Sequence, residues 1–207
     1  MDIPDNCQKC GLYQYSDKPW IDGRGNTKNP KLIMIGEAPG FEESKSGIPF
    51  IGRAGKKLDE MIIQTPGLAF NDIYITNMVK CFPPISTSIP TKGFRVPKES
   101  EIFLCKPFLI EEILSFGTEN KPILMSLGNV ALLGLTGEQS ITKELGISKV
   151  IGIPTMKYEH NPERVDVTTE EYTLIPNFHP SYVLRNGKGA EKLFIRVLEE
   201  TWQEHFM

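Results

Sequence analysis

The chain has 207 residues, a formal net charge of −3, 40% hydrophobic and 24% charged residues. These values suit one compact globular domain spanning residues 1–207. No apolar run reaches the roughly 18 residues that a membrane span needs, and the polar stretch from Met1 to Trp20, which holds two cysteines, does not read as a signal peptide, so a cytoplasmic monomer with no membrane partner is expected.

In chain order, the first strand is predicted over residues 31–37, where Leu32, Ile33, Met34 and Ile35 form an unbroken apolar run suited to burial on both faces. Helical spacing follows over 55–64, a second strand over 72–79, and a Pro-, Ser- and Thr-rich loop over 82–97. A long helix is predicted over 98–116, a third strand over 122–127 and a short helix over 129–135. The polar segment 152–171 reads as a hairpin or a mobile excursion, before a fourth strand over 172–178. A last helix over 191–206 places Leu193, Phe194, Val197, Leu198 and Trp202 on one stripe. Strands alternating with helices predict an α/β fold: a three-layer α/β/α sandwich around a central four-stranded, mainly parallel sheet.

Such sheets bind ligands beyond the carboxyl ends of their strands, so the residues there are the first candidates for chemistry. The first strand runs into Gly36-Glu37-Ala38-Pro39-Gly40, the second ends near Asn77, and the fourth is followed by His179-Pro180-Ser181. Three strand ends thus offer a carboxylate, an amide and an imidazole. The net charge of −3 speaks against a broadly basic surface but leaves room for a local groove. Arg53, Lys56, Lys92, Arg95, Arg185 and Lys188 are the loop residues from which one would be built; they serve equally well as solvated side chains.

The four cysteines are Cys7, Cys10, Cys81 and Cys105. The C-x-x-C spacing of the first two lets both sulfurs reach one metal. Four thiolates suit a structural zinc or an iron–sulfur cluster, and spacing does not choose between them. Two disulfides or four buried thiols are the alternatives, and disulfides fit a cytosolic chain poorly.

Six motifs in order make the sequence resemble the family-4, iron–sulfur uracil-DNA glycosylases. They are Cys7-x-x-Cys10, Gly36-Glu37-Ala38-Pro39-Gly40, Gly47-Ile48-Pro49-Phe50-Ile51-Gly52-Arg53-Ala54-Gly55, Tyr74-Ile75-Thr76-Asn77-Met78-Val79-Lys80-Cys81, Cys105-Lys106-Pro107-Phe108-Leu109 and His179-Pro180-Ser181-Tyr182-Val183-Leu184-Arg185. The resemblance implies hydrolysis of the N-glycosidic bond of deoxyuridine in single- or double-stranded uracil-containing DNA. It also implies a 4Fe-4S cluster held by Cys7, Cys10, Cys81 and Cys105.

The resemblance further implies a division of labour. Asn77 reads the uracil edge, Phe50 stacks on the flipped base, and Gly36, Ala38 and Gly40 shape the pocket. Gly40 stands where the best-known glycosylase family has a methyl-excluding tyrosine, so Glu43 is the candidate for that task. His179 is expected to donate to the leaving uracil. Glu37 is expected to supply negative charge and to position water, because Ala38 replaces the usual aspartate; backbone groups of the same turn are the alternative. Arg53, Ser181, Val183, Leu184 and Arg185 are expected at the DNA, with the loop 179–185 as the minor-groove wedge and Val183 where many relatives carry leucine. Lys92, Phe94 and Arg95 add candidate strand contacts. His160 and His205 match no motif and read as surface residues. Rival readings are a superfamily member that holds uracil-DNA without releasing the base and a replication accessory factor without base excision; Glu37, Asn77 and His179 together speak against the latter.

Overall fold

The computed structural model describes residues 4–86, 93–117, 121–158 and 165–207. Lys92 and His160, together with most of the tip of the 82–97 loop, lie outside the described residues. Six strands form one sheet: β1 (Arg24–Gly25), β2 (Leu32–Gly36), β3 (Ile73–Asn77), β4 (Ile123–Leu127), β5 (Lys149–Tyr158) and β6 (Val165–Asn177), in the order β1-β3-β2-β4-β6-β5. The helices are α1 (Asp5–Cys10), α2 (Phe41–Ser46), α3 (Arg53–Gln64), α4 (Glu99–Leu114), α5 (Asn129–Thr136), α6 (Ile141–Glu144) and α7 (Pro180–Phe206).

The four strands expected from the sequence are the parallel centre, β3-β2-β4-β6. The sheet nevertheless has six strands rather than four. The short β1 pairs antiparallel with β3 at one edge, and β5 pairs antiparallel with β6 at the other. The polar segment 152–171 therefore belongs to a long hairpin. Of β6 only Leu174–Asn177 pair with β4; the earlier residues of the strand pair with β5 alone.

Every residue of β2, β3 and β4 is buried, which requires cover on both faces. The α3 and α7 helices pack on each other, tied by Lys57 and Glu191 at 2.6 Å, while α4 packs on α1 and α5 as a second group. Chain order sends β3 to one side of β2 and β4 and β6 to the other, so the direction of winding changes between β2 and β4. In open α/β sheets ligands bind at such a switch point, beyond the carboxyl ends of the strands.

One further difference concerns residues 179–185. They are the first turns of α7, with His179 as N-cap and Pro180 inside the first turn, and not a loop. Pro suits that place because its missing N–H has no partner to lose there. The helix kinks at Gly187 (φ 70°, ψ −157°), and the predicted helix over 191–206 is its second limb.

Candidate functional site

The parallel register sets Gly36 directly beside Asn77, so the ends of β2 and β3 lie level. The Met78 and Val79 N–H groups donate to the carbonyls of Gly36 and Glu37 at 3.0 Å each, which joins the Gly36–Gly40 turn to the end of β3. A side chain at position 36 would have no room: its Cβ would come within 2.3 Å of Phe50 Cζ and 2.7 Å of Asn77 Oδ1. Glycine is therefore what lets the aromatic ring and the amide meet over the strand end. Asn77 is only 3% exposed.

Phe50 is buried as well. Its backbone lies in the left-handed region at φ 56°, rare for a bulky residue and kept only where surroundings impose it. The ring sits 6.3 Å from that of His179, centroid to centroid and tilted by 37°. An amide, an aromatic face and an imidazole thus border one space.

Glu43 is 8% exposed and its Oε1 accepts the Gly52 N–H at 2.9 Å, at the start of α3. Its other oxygen lies 2.7 Å from where a Cβ on Gly40 would stand. The carboxylate occupies the room left by the small residue.

His179 caps α7. Its Nδ1 accepts the Ser181 N–H at 3.2 Å, and Ser181 Oγ lies 2.8 Å from the same nitrogen. A backbone N–H can only donate, so Nδ1 carries no proton and the neutral ring holds its hydrogen on Nε2. Burial, helped by the nearby Arg185 charge, pushes the imidazole pKa down to about 4. The ring is a neutral N–H donor at physiological pH. The Ser181 hydroxyl, expected at the DNA, is engaged with this ring instead.

Glu37 follows β2 at the same end of the sheet. Burial raises its pKa to about 7, and the Arg185 guanidinium acts in the opposite sense. Such a carboxyl is half ionised near neutrality, the condition that suits a group taking or stabilising a proton.

The wedge assignment needs correction. Val183 is 1% exposed and belongs to the core, because helical geometry turns it inward with Pro180. Leu184 is 42% exposed, and Arg185 beside it also faces outward. Arg53 is exposed at the start of α3. Arg95 is not free for DNA: it forms a two-pronged pair with Glu101 at 2.7 Å on each arm. Phe94 is exposed on a small bridge with Pro84 at the base of the 82–97 loop.

The cysteines lie elsewhere, where α1, α4 and the segment after β3 meet. None forms a disulfide, and all four border one small, mainly apolar void. Burial pushes the Cys81 thiol up to about 12 and that of Cys105 to about 11. Beside them lies a polar cluster that spacing does not signal. Glu112 accepts from the Gly23 N–H, the Tyr74 hydroxyl, the Thr76 hydroxyl and Lys80 Nζ.

A family model described as the uracil DNA glycosylase superfamily matches residues 23–203. The chain belongs to this superfamily. A type-4 uracil-DNA glycosylase of Saccharolobus solfataricus is 35% identical over 196 residues, 93% of this chain and 81% of the relative. One of Thermotoga maritima is also 35% identical, over 87% of this chain and 79% of the relative. A DNA polymerase of Bacillus phage SP01 is 27% identical over 91% of this glycosylase-family chain but only 17% of its own length. The type-4 relatives place the chain in the same family, that of DNA glycosylases. No helix among the described residues is long and apolar enough to cross a membrane.

Proposed function

We propose that this DNA glycosylase hydrolyses the N-glycosidic bond of deoxyuridine in DNA, acting as a cytoplasmic monomer. The observation that carries the reading is the meeting of Asn77 and Phe50 over Gly36, with the neutral His179 ring beside that of Phe50.

A base inside the duplex is out of reach, so the nucleotide is flipped into this site. The Asn77 amide donates to uracil O4 and accepts from N3–H, a pattern that cytosine reverses. Phe50 offers a face for the base, and the Glu43 carboxylate against Gly40 leaves little room for the methyl of thymine. As the bond breaks, negative charge builds on uracil. His179 Nε2–H is a donor for O2, and a neutral donor meets that charge without itself losing a full proton. The sugar becomes cationic, and the ionised Glu37 opposes it and orients water. Leu184 fills the vacated stack, while Arg185 and Arg53 take phosphates.

The reading includes a structural 4Fe-4S cluster on Cys7, Cys10, Cys81 and Cys105. The donor set fits: four thiols without disulfides border one void, and N–H groups of Trp20 and Lys80 point at three of the sulfurs. Among the described residues no group of three or more His, Cys, Asp or Glu side chains is arranged to hold a single metal ion. A cluster is larger than an ion and takes its four sulfurs further apart. When bound, it would tie α1 to α4 and to the segment after β3.

A second reading, a replication-associated protein that binds uracil-DNA without excising the base, is favoured by the similarity to the phage polymerase. The deciding experiment treats a uracil-containing oligonucleotide with the protein and then with alkali. Strand scission at uracil, absent from thymine and cytosine controls, is the expected result; an intact strand leaves only the binding role.

A further inference from the structure

We infer that Trp20 is a positioning residue for the proposed cluster, and the partition that keeps it from solvent. The inference rests on the cluster reading above. The Trp20 indole Nε1–H donates to Cys7 Sγ at 3.1 Å, and its backbone N–H donates to Cys81 Sγ at 3.4 Å. One residue thus reaches sulfurs that come from α1 and from the segment after β3, far apart in the chain. A third sulfur, Cys105 Sγ, accepts the Lys80 N–H at 3.3 Å.

Two features show that this posture is imposed. Trp20 has a positive φ of 54°, an unfavourable setting for a bulky side chain. Its ring is held flat against Tyr13, with centroids 5.8 Å apart and planes 12° from parallel. The left-handed turn aims the backbone N–H and the indole N–H at the same group of thiols.

On its other side Trp20 meets a cavity of about 770 Å³, which also touches the exposed Asp22 and Glu111 and the polar Tyr74 and Glu112. Trp20 and Phe108 line both this cavity and the void around the cysteines. They stand between this cavity and the void that borders the buried Cys7, Cys81 and Cys105. N–H donors to cluster sulfurs and exclusion of solvent are two of the levers that set a cluster's potential and durability.

The test compares full-length wild type, Trp20→Phe and Trp20→Ala, each purified anaerobically. Trp20→Phe keeps the partition and removes the indole donor. Its reduction potential should fall, because an N–H bond to sulfur favours the more negative, reduced cluster, while its bleaching in air with EDTA should match wild type. Trp20→Ala opens the void to the cavity, and its visible absorbance should bleach several-fold faster. An unchanged potential in Trp20→Phe overturns the hydrogen-bonding role, and wild-type bleaching in Trp20→Ala overturns the partition. If Trp20→Ala does not fold, Trp20→Phe still decides the first point, and Phe108→Ala, which thins the same wall, decides the second by the same bleaching measurement. Wild-type protein that contains no iron removes the cluster reading itself, a result distinct from either failure.

Discussion

Glu37 and Glu112 are both withdrawn from water, and the protein treats them in opposite ways. Glu112 receives four donors, and although burial works against ionisation, Lys80 and the hydroxyl and backbone donors hold its pKa below the usual carboxylate value. Glu37 has burial raising its pKa to about 7 and only the charge of Arg185 working against that. A saturated carboxylate is a fixed structural anion. One with little compensation stays poised near neutrality and keeps its lone pairs for a substrate or water. Both touch one stretch of chain: the Val79 N–H donates to the Glu37 carbonyl, while Tyr74, Thr76 and Lys80 reach the Glu112 carboxylate.

The sharpest test of this contrast is Glu37→Gln. Single-turnover excision from a uracil oligonucleotide should fall by roughly 10²–10⁴, the range for a group of this kind, with binding to a non-cleavable analogue nearly intact. Glu112→Gln should leave the chemical step near wild type and lower stability instead. Wild-type excision by Glu37→Gln would assign the water to backbone groups of the Gly36–Gly40 turn.

Next in size is the buried pair itself. Lys80→Met strands the Glu112 charge and should cost about 3–5 kcal/mol in denaturant unfolding, the usual penalty for breaking such a pair. Adding Glu112→Leu should restore part of that loss, since a buried ion pair is costly to split and cheaper to replace whole. A double variant no more stable than Lys80→Met would show that hydrogen bonds to Tyr74 and Thr76, rather than the ion pair, dominate.

A smaller effect is expected in the pH profile. The ionised form of Glu37 is the active one in the proposed mechanism, so the rate should fall as pH drops through about 7, where the carboxyl takes up its proton. Arg185 favours the ionised form, so Arg185→Ala should move this acid limb to higher pH. His179, with its pKa pushed down to about 4, stays neutral across that range and should add no second limb there. A limb that persists unchanged in Glu37→Gln would belong to another group.

The smallest effect separates neighbours in the first turns of α7. Leu184→Ala should slow excision more on double-stranded than on single-stranded DNA, because only the duplex has a stack to fill. Val183→Ala should instead cost about 1–3 kcal/mol of stability, as a core truncation does, with no preference between substrates. Equal losses on both substrates for Leu184→Ala would remove the wedge role.

The parallel centre of the sheet is legible along the chain, because four apolar runs separated by helical spacing have few other ways to bury themselves. The sequence also marked Glu37, Asn77 and His179, since strand ends in such a sheet are where polar residues converge. The edges of the sheet were not legible: β1 is two residues long, and β5 pairs only with β6, most of whose length has no other strand beside it. Tertiary structure alone decided the direction of side chains in residues 179–185. A helix begins at Pro180, and helical geometry turns Val183 into the core and Leu184 out. It alone decided the Nε2–H tautomer of His179, through the Ser181 N–H, and the four donors around Glu112. Trp20 stands for the same limit: it is 13 residues from Cys7 and 61 from Cys81, and no local periodicity encodes a contact made across those distances. Patterns of burial are written along the chain, whereas the partners of a buried polar group are chosen only when distant segments pack.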